Sequence, residues 1–228
     1  MCGILGIVGN EQGSRGVIIR RALTTLNQRG PDASSIMDFG KATLGHTRLS
    51  IIDLATGAQP MRDEVNGAKI IDISREGVKC YAEYGDTCPE YLDGQFAFAI
   101  WDDAQQRLFL ARDRFGEKPL FYSQVGNDFI FASEIKALLA TGLVEKTLDR
   151  VSIDNYLALY FMPPWRTIYK HITPLLPAHS AVYQHGKLTT KRYWQITNEP
   201  TDISYKDAAN QVWEILSQST ESRMVADV

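Results

Sequence analysis

Phe96-Ala97-Phe98-Ala99-Ile100-Trp101, Leu108-Phe109-Leu110-Ala111, Leu120-Phe121-Tyr122 and Phe129-Ile130-Phe131-Ala132 are four aromatic and aliphatic runs separated by polar turns. Runs of this length, rich in aromatic and aliphatic residues and bounded by turn signals, read as buried strands. Val125-Gly126-Asn127-Asp128 has the composition of a hairpin turn. The succession predicts an antiparallel meander, followed by a helix from Ser133 to Thr141 with Gly142 at its end.

Working outward, Gly3 to Val8 is an apolar run suited to a buried strand that starts almost at the first residue. Val17 to Leu26 has helical spacing and is stopped by Arg29-Gly30-Pro31-Asp32. Ala42 to His46 and Leu49 to Leu54 read as two short strands before the turn-rich Thr56-Gly57-Ala58-Gln59-Pro60. On the carboxy-terminal side, Ile153 to Tyr160 predicts a short helix, Met162-Pro163-Pro164-Trp165 a break, and the residues to Trp194 a two-strand extension. Thr197 to Thr201 is a linker candidate. Ser204-x-x-Asp207 has the form of a capping box ahead of a helix that lines up Ala208, Val212, Ile215, Leu216 and Ser219 on one face. That face calls for a partner surface. The expected class is α+β, with two domain segments: residues 1–196, and a linker and helix over 197–228.

Composition narrows the function. A formal net charge of -3 with both signs interspersed gives no basic stripe for nucleic acid. The apolar start lacks a positive flank and is interrupted by Asn10 and Glu11, so neither a signal peptide nor a membrane span is expected, and the cytoplasm is the default compartment. Three cysteines without a C-x-x-C pair, and four histidines without ligand spacing, predict neither a disulfide framework nor a metal site. No G-x-x-x-x-G-K-[ST] phosphate loop occurs.

Cys2 is the residue with chemical promise. Removal of Met1 would leave one residue carrying a thiol and a free α-amine, and an amine with a reference pKa of roughly 7.7 to 8.0 can take the thiol proton near neutral pH. Its surroundings strengthen the reading. Met1-Cys2-Gly3-Ile4-Leu5-Gly6-Ile7, Arg29-Gly30-Pro31-Asp32, Gly45-His46-Thr47-Arg48-Leu49-Ser50-Ile51-Ile52-Asp53-Leu54, Leu92-Asp93-Gly94-Gln95-Phe96, Ala111-Arg112-Asp113-Arg114-Phe115-Gly116-Glu117-Lys118-Pro119-Leu120 and Phe131-Ala132-Ser133-Glu134-Ile135-Lys136 resemble, in this order, the amino-terminal-nucleophile glutamine amidotransferases, and among them the amidotransferase domain of asparagine synthetases.

The resemblance implies two antiparallel sheets sandwiched between helices, the amino-terminal-nucleophile hydrolase fold, with the carboxy-terminal helix belonging to a synthetase domain. It implies that Cys2 attacks the amide of glutamine, and that Arg48, a planar guanidinium suited to two parallel hydrogen bonds, grips the substrate α-carboxylate. Leu49, Ser50, Ile51 and Ile52 take the family's places around glutamine. Arg29 and Asp32 read as loop scaffold. No cofactor is implied for this segment; ATP and Mg belong to the synthetase domain, which is the implied partner along with glutamine. The resemblance also admits a homodimer.

The pattern breaks between Met61 and Tyr81. About two dozen residues of the family's pattern, roughly a strand, a helix and their loops, have no counterpart. That stretch carries the family's Asn-Gly oxyanion pair and a carboxylate for the substrate ammonium. Asn66-Gly67 is either the surviving pair or a hairpin turn. Asp72 and, less well, Glu76 are candidates for the ammonium contact, with a solvated charge as the alternative reading. Loss of a central strand should expose core on both neighbours, which predicts that residues are absent from the sequence at this point. A glutaminase-like scaffold with impaired chemistry is the competing functional expectation, as is a relative that amidates a carboxylate other than aspartate.

Overall fold

The computed structural model describes residues 1–9, 14–51, 59–62, 68–71 and 75–224. At its centre is β1 (Gly3–Val8), buried along its whole length. It pairs antiparallel with β3 (Ala42–Arg48) from Gly3↔Thr47 to Val8↔Ala42, and with β9 (Asp128–Ala132) from Leu5↔Ala132 to Val8↔Phe129. The remaining strands are β2 (Ala33–Asp38), β4 (Met61–Arg62), β5 (Ala68–Ile71), β6 (Ala97–Asp102), β7 (Arg107–Arg112), β8 (Phe121–Val125), β10 (Thr173–Pro174), β11 (His179–Gln184) and β12 (Lys187–Arg192). They form two six-stranded sheets, in the orders β10-β8-β9-β1-β3-β2 and β12-β11-β7-β6-β5-β4.

Strand alternation assigns the layers. Ile4 and Val8 of β1 point between the sheets, where they meet Leu44, Phe129 and Phe131 from their own sheet and Ala97, Ala99, Trp101, Leu108 and Leu110 from the other. Leu5 and Ile7 point the opposite way, onto Ile19, Ala22 and Leu23 of α1 (Arg15–Leu23) and onto α4 (Ile135–Ala140). Phe98, Ile100 and Phe109 on the outer face of the second sheet pack with Tyr81 of α2 (Arg75–Tyr84) and with Cys88, which opens the one-turn α3 (Cys88–Tyr91). The order of layers is helices, sheet, sheet, helices, as the resemblance implies.

The four aromatic runs are strands, but not one meander. β6 and β7 form a hairpin in the second sheet, while β8 and β9 form a hairpin in the first. The chain changes sheets in Arg112 to Leu120, and the side chains of buried Asp113 and half-buried Arg112 fix that crossing. Asp113 accepts backbone hydrogen bonds from Phe115 (3.1 Å) and Glu117 (3.0 Å) through Oδ1, and from Lys118 (2.9 Å) through Oδ2. Arg112 donates to the carbonyls of Lys118, Gly116 and Leu175 at 2.6–2.8 Å. Gly116 has φ of +69°, and a Cβ there would meet Pro177 Cγ at 2.8 Å. The Arg-Asp-Arg-Phe-Gly-Glu-Lys-Pro run is thus a sheet-to-sheet hinge made rigid by its own side chains.

Other expectations need correction. β3 runs unbroken to Arg48, and Leu49 to Ile51 are not strand; the rest of the expected second piece, Ile52 to Leu54, lies outside the described residues. β2 was not foreseen, because Ala33-Ser34-Ser35-Ile36-Met37-Asp38 is a half-exposed edge strand without apolar alternation. The extension before Trp194 is no appendage: β11 pairs with β7, with β12 beside it at the sheet's edge. Within the shortened stretch the described residues include two strands. β5 pairs with β6 from Ala68↔Asp102 to Ile71↔Ala99, and β4 lies beyond it as the edge strand.

By contacts the chain divides into two units, residues 1–49 with 58–195 and residues 50–57 with 196–228. In the second, α6 (Tyr205–Arg223) begins at Ser204, whose Oγ accepts from Asp207 N at 3.2 Å and donates to the Asp207 carboxylate at 2.7 Å. Val212, Ile215 and Leu216 are exposed. Among the described residues no helix is long and apolar enough to cross a membrane.

Asp113→Asn keeps the side chain's shape but turns one acceptor oxygen into a donor facing a backbone N–H. Charge-assisted bonds contribute about 1.5–3 kcal/mol each, so the variant should lose roughly 2–3 kcal/mol and melt about 4–10 °C lower. Paired thermal and urea unfolding curves check this.

Candidate active site

Four contacts hold the first residues. The Ile4 N–H donates to Ser133 Oγ (3.0 Å) and the Ser133 N–H to the Ile4 carbonyl (2.9 Å), which continues the β1–β9 ladder past its last strand pair. The Arg29 Nε donates to the Cys2 carbonyl at 2.9 Å. The Cys2 thiol, half-buried, points to the Leu49 carbonyl at 3.7 Å. Extending the β1–β3 register one step beyond Gly3↔Thr47 sets Cys2 opposite Arg48. By alternation both belong to the inter-sheet face that carries Ile4 and His46.

The Arg29-Gly30-Pro31-Asp32 loop is seated on the end of β3. A Cβ on Gly30 would lie 2.4 Å from the Thr47 carbonyl carbon and 2.5 Å from Arg48 N, so only glycine fits. The Asp32 N–H donates to the Arg48 carbonyl at 3.0 Å. This close seating brings Arg29 to the carbonyl of Cys2, and its other end to Glu134 Oε1 at 3.3 Å. Glu134 also pairs with Lys136 at 2.8 Å. Burial alone would raise the Glu134 pKa, but hydrogen bonds from Lys136 and Arg29 outweigh it and hold the carboxyl below the usual range. Arg29, read from the sequence as scaffold, is thus the side chain that anchors the cysteine's main chain.

Met1 is half exposed. Its α-amine has a lowered pKa, first because of partial burial, with the positive charges of Arg29 and Lys118 acting in the same sense. Lys118 Nζ lies 2.9 Å from Gln95 Oε1 and 3.4 Å from Met1 Sδ. The sequence motifs contained Lys118 and Gln95, but nothing in their spacing pointed to the amino terminus.

The predicted substrate residues divide. Arg48 and Leu49 are half-buried at the end of β3 beside Cys2; Ser50 follows, and Ile51 is exposed. Ile52, Asn66, Gly67 and Asp72 lie outside the described residues. His46, expected to be unremarkable, is 1% exposed, and among the described residues neither ring nitrogen has a hydrogen-bond partner. Burial, reinforced by the nearby Arg48 charge, lowers its pKa to about 4. It therefore sits neutral on the face shared with Cys2. The described residues contain no group of three or more His, Cys, Asp or Glu arranged for a metal ion.

Cys2 thus stands at the end of a doubly paired central strand, in a sandwich of two antiparallel sheets between helices. A family model described as "Glutamine amidotransferase domain" matches residues 1–72 and 77–194, and the chain belongs to that family. Its interruption falls inside the shortened stretch. Asparagine synthetase [glutamine-hydrolyzing] 3 of Bacillus subtilis is 31% identical over an alignment of 261 positions covering the whole chain and 42% of the relative. Amidase chyE of Penicillium rubens is 30% identical, again over the whole chain and 40% of the relative. The chain thus spans about two fifths of the length of these relatives. The alignment of 261 positions exceeds the chain's 228 residues, which marks positions of the Bacillus protein without a counterpart here. A solved structure titled as the allosteric regulatory enzyme of purine biosynthesis shares the fold, with a TM-score of 0.59 at 17% identity over 86% of this chain and 50% of that one.

His46 gives a pH prediction. The unfolded histidine binds a proton below about pH 6.5, whereas the folded one stays neutral down to about pH 4. Between those values the unfolded state holds more protons, so stability falls as the pH drops through this window, by on the order of 3 kcal/mol from this residue. In His46→Leu that part of the decline should vanish, seen by urea unfolding at several values from pH 7 to pH 4.

Proposed function

We propose that this chain hydrolyses glutamine to glutamate and ammonia through a thioester on Cys2. The observation that carries the reading is the fixed, half-buried Cys2 thiol at the end of β1, opposite Arg48 in register. Loss of Met1, whose exposure admits a peptidase, frees the α-amine of Cys2. That amine takes the thiol proton, Sγ forms a bond to the carboxamide carbon, and the proton passes to the leaving nitrogen as the C–N bond breaks and ammonia departs. Water, deprotonated by the same amine, attacks the thioester, releases glutamate and restores the thiol.

Arg48 takes the glutamine α-carboxylate, with Leu49, Ser50, Ile51 and Ile52 beside the substrate. Asn66 and Gly67 supply the oxyanion donors and Asp72 the ammonium contact. Residues 1–196 form the glutaminase domain, and 197–228 a linker and the first helix of a synthetase domain. There the ammonia amidates aspartate to asparagine at the expense of ATP with Mg. The sequence has no phosphate loop and the described residues no clustered metal ligands, so no step in this chain is assigned to either group.

A second reading, a scaffold with impaired chemistry, is favoured by the shortened stretch, since losing one oxyanion donor typically costs about a hundredfold to a thousandfold in rate. Cys2→Ala tests the first reading. Glutamate release by the Met1-processed protein should disappear in the variant, and a retained rate would sink the assignment. An undetectable rate in the processed wild type, with Cys2 still open to alkylation, would favour the scaffold.

Arg48→Ala should raise the glutamine KM steeply, since bonds to charged groups contribute about 1.5–3 kcal/mol each. Arg48→Lys should recover only part, because an ammonium cannot form the planar fork. Alkylation of Cys2 by iodoacetamide, which has no α-carboxylate, should proceed at close to the wild-type rate in both. An unchanged KM in Arg48→Ala would remove the assigned role.

A further inference from the structure

We propose that Lys118 is a positioning residue for the reaction: anchored by Gln95, its ammonium holds a positive charge beside the amino terminus, where it disfavours protonation of the α-amine left on Cys2. This rests on the reading of Cys2 as the nucleophile.

The placement is built. Lys118 closes the sheet-to-sheet hinge, with its N–H bound to Asp113 Oδ2 (2.9 Å) and its carbonyl to Arg112 Nε (2.8 Å). The stem of the side chain therefore starts from a fixed point. Its ammonium meets Gln95 Oε1 at 2.9 Å and Met1 Sδ at 3.4 Å. Both are neutral, and among the described residues Lys118 has no carboxylate partner within salt-bridge distance.

The other charges near the amine are arranged differently. Arg29, from the loop after α1, acts on the Met1 amine in the same sense as Lys118 and ahead of it, although it is paired with Glu134 at the start of α4, which is itself shared with Lys136. Asp32 and the Cys2 thiol favour the protonated amine. Arg48 adds a positive charge from the end of β3, and Glu117, beside Lys118, is exposed. A cation disfavours protonation of a neighbouring amine, and Lys118, held by a neutral anchor, adds to Arg29 in this sense. When Met1 leaves, the amine moves one residue inward and Lys118 borders the space vacated by the methionine side chain.

The test uses Met1-processed protein labelled with [15N]cysteine, in which the directly observed nitrogen resonance of Cys2 reports the amine's titration. Lys118→Met removes the charge while the backbone bonds of the hinge remain. Gln95→Glu, at an exposed position, keeps the lysine but gives it an anion to pair with. Both variants should move the titration midpoint upward by about half to one pH unit, and the acid limb of kcat/KM for glutamine with it; Lys118→Arg should stay at the wild-type midpoint. An unmoved midpoint in Lys118→Met overturns the proposal, as does a shift in Lys118→Met that Gln95→Glu does not reproduce. Failure of the underlying reading looks different: Cys2→Ala would still hydrolyse glutamine, whatever the amine's midpoint does.

Discussion

Everything at the site depends on β1 being bonded on both sides although it starts at the third residue. A chain end ordinarily frays, because few contacts oppose its conformational entropy. Here the strand is paired with β3 and β9, buried on both faces, and its ladder is continued by the exchange between Ile4 and Ser133. A residue just outside such a strand inherits its fixed direction. Cys2 needs only two more contacts, from Arg29 and to Leu49, to be held where thiol and main chain both have defined neighbours.

That constraint explains the use of the two loops that reach the amino terminus. Each is stiffened before it delivers a cation. Gly30 lets the first press against the backbone of β3 and sends Arg29 to the cysteine carbonyl. Arg112 and Asp113 lock the second with six hydrogen bonds to its backbone and to Leu175, and send Lys118 to Met1. The two cations have different partners, Arg29 a carboxylate that Lys136 shares and Lys118 an uncharged amide.

How much of this the sequence disclosed follows from what each signal measures. Apolar runs identify buried strands, so β1, β6, β7, β8 and β9 were legible, but a run does not say which sheet it joins. The change of sheet after β7 is encoded in Asp113 and its three N–H partners, a local motif without a hydrophobic signature. β2 lies at an edge and β4 has two residues, too little burial to leave a pattern. Cys2 and Arg48 stood out through the motifs around them. Arg29 was legible as a scaffold residue of its loop but its partners were not, since Cys2 and Glu134 are 27 and 105 positions away. His46 shows the same limit: its spacing excluded a metal site but could not reveal a neutral imidazole enclosed between sheets.

The shortened stretch bears on chemistry more than on folding. Cys2 is positioned by β1, β3, β9 and the two loops, all of which lie outside residues 61–81. β4 and β5 extend the other sheet, at its edge, and the pairing of β5 with β6 does not touch the strand that leads to the thiol. What the family's pattern places in that stretch is the means of stabilising the oxyanion, a role filled by individual donors and not by a layer of the fold. Under the proposed thioester chemistry the residues that hold Cys2 and the stretch that would carry the oxyanion donors are separate in the sequence, so rate can fall without a change in the geometry around Cys2.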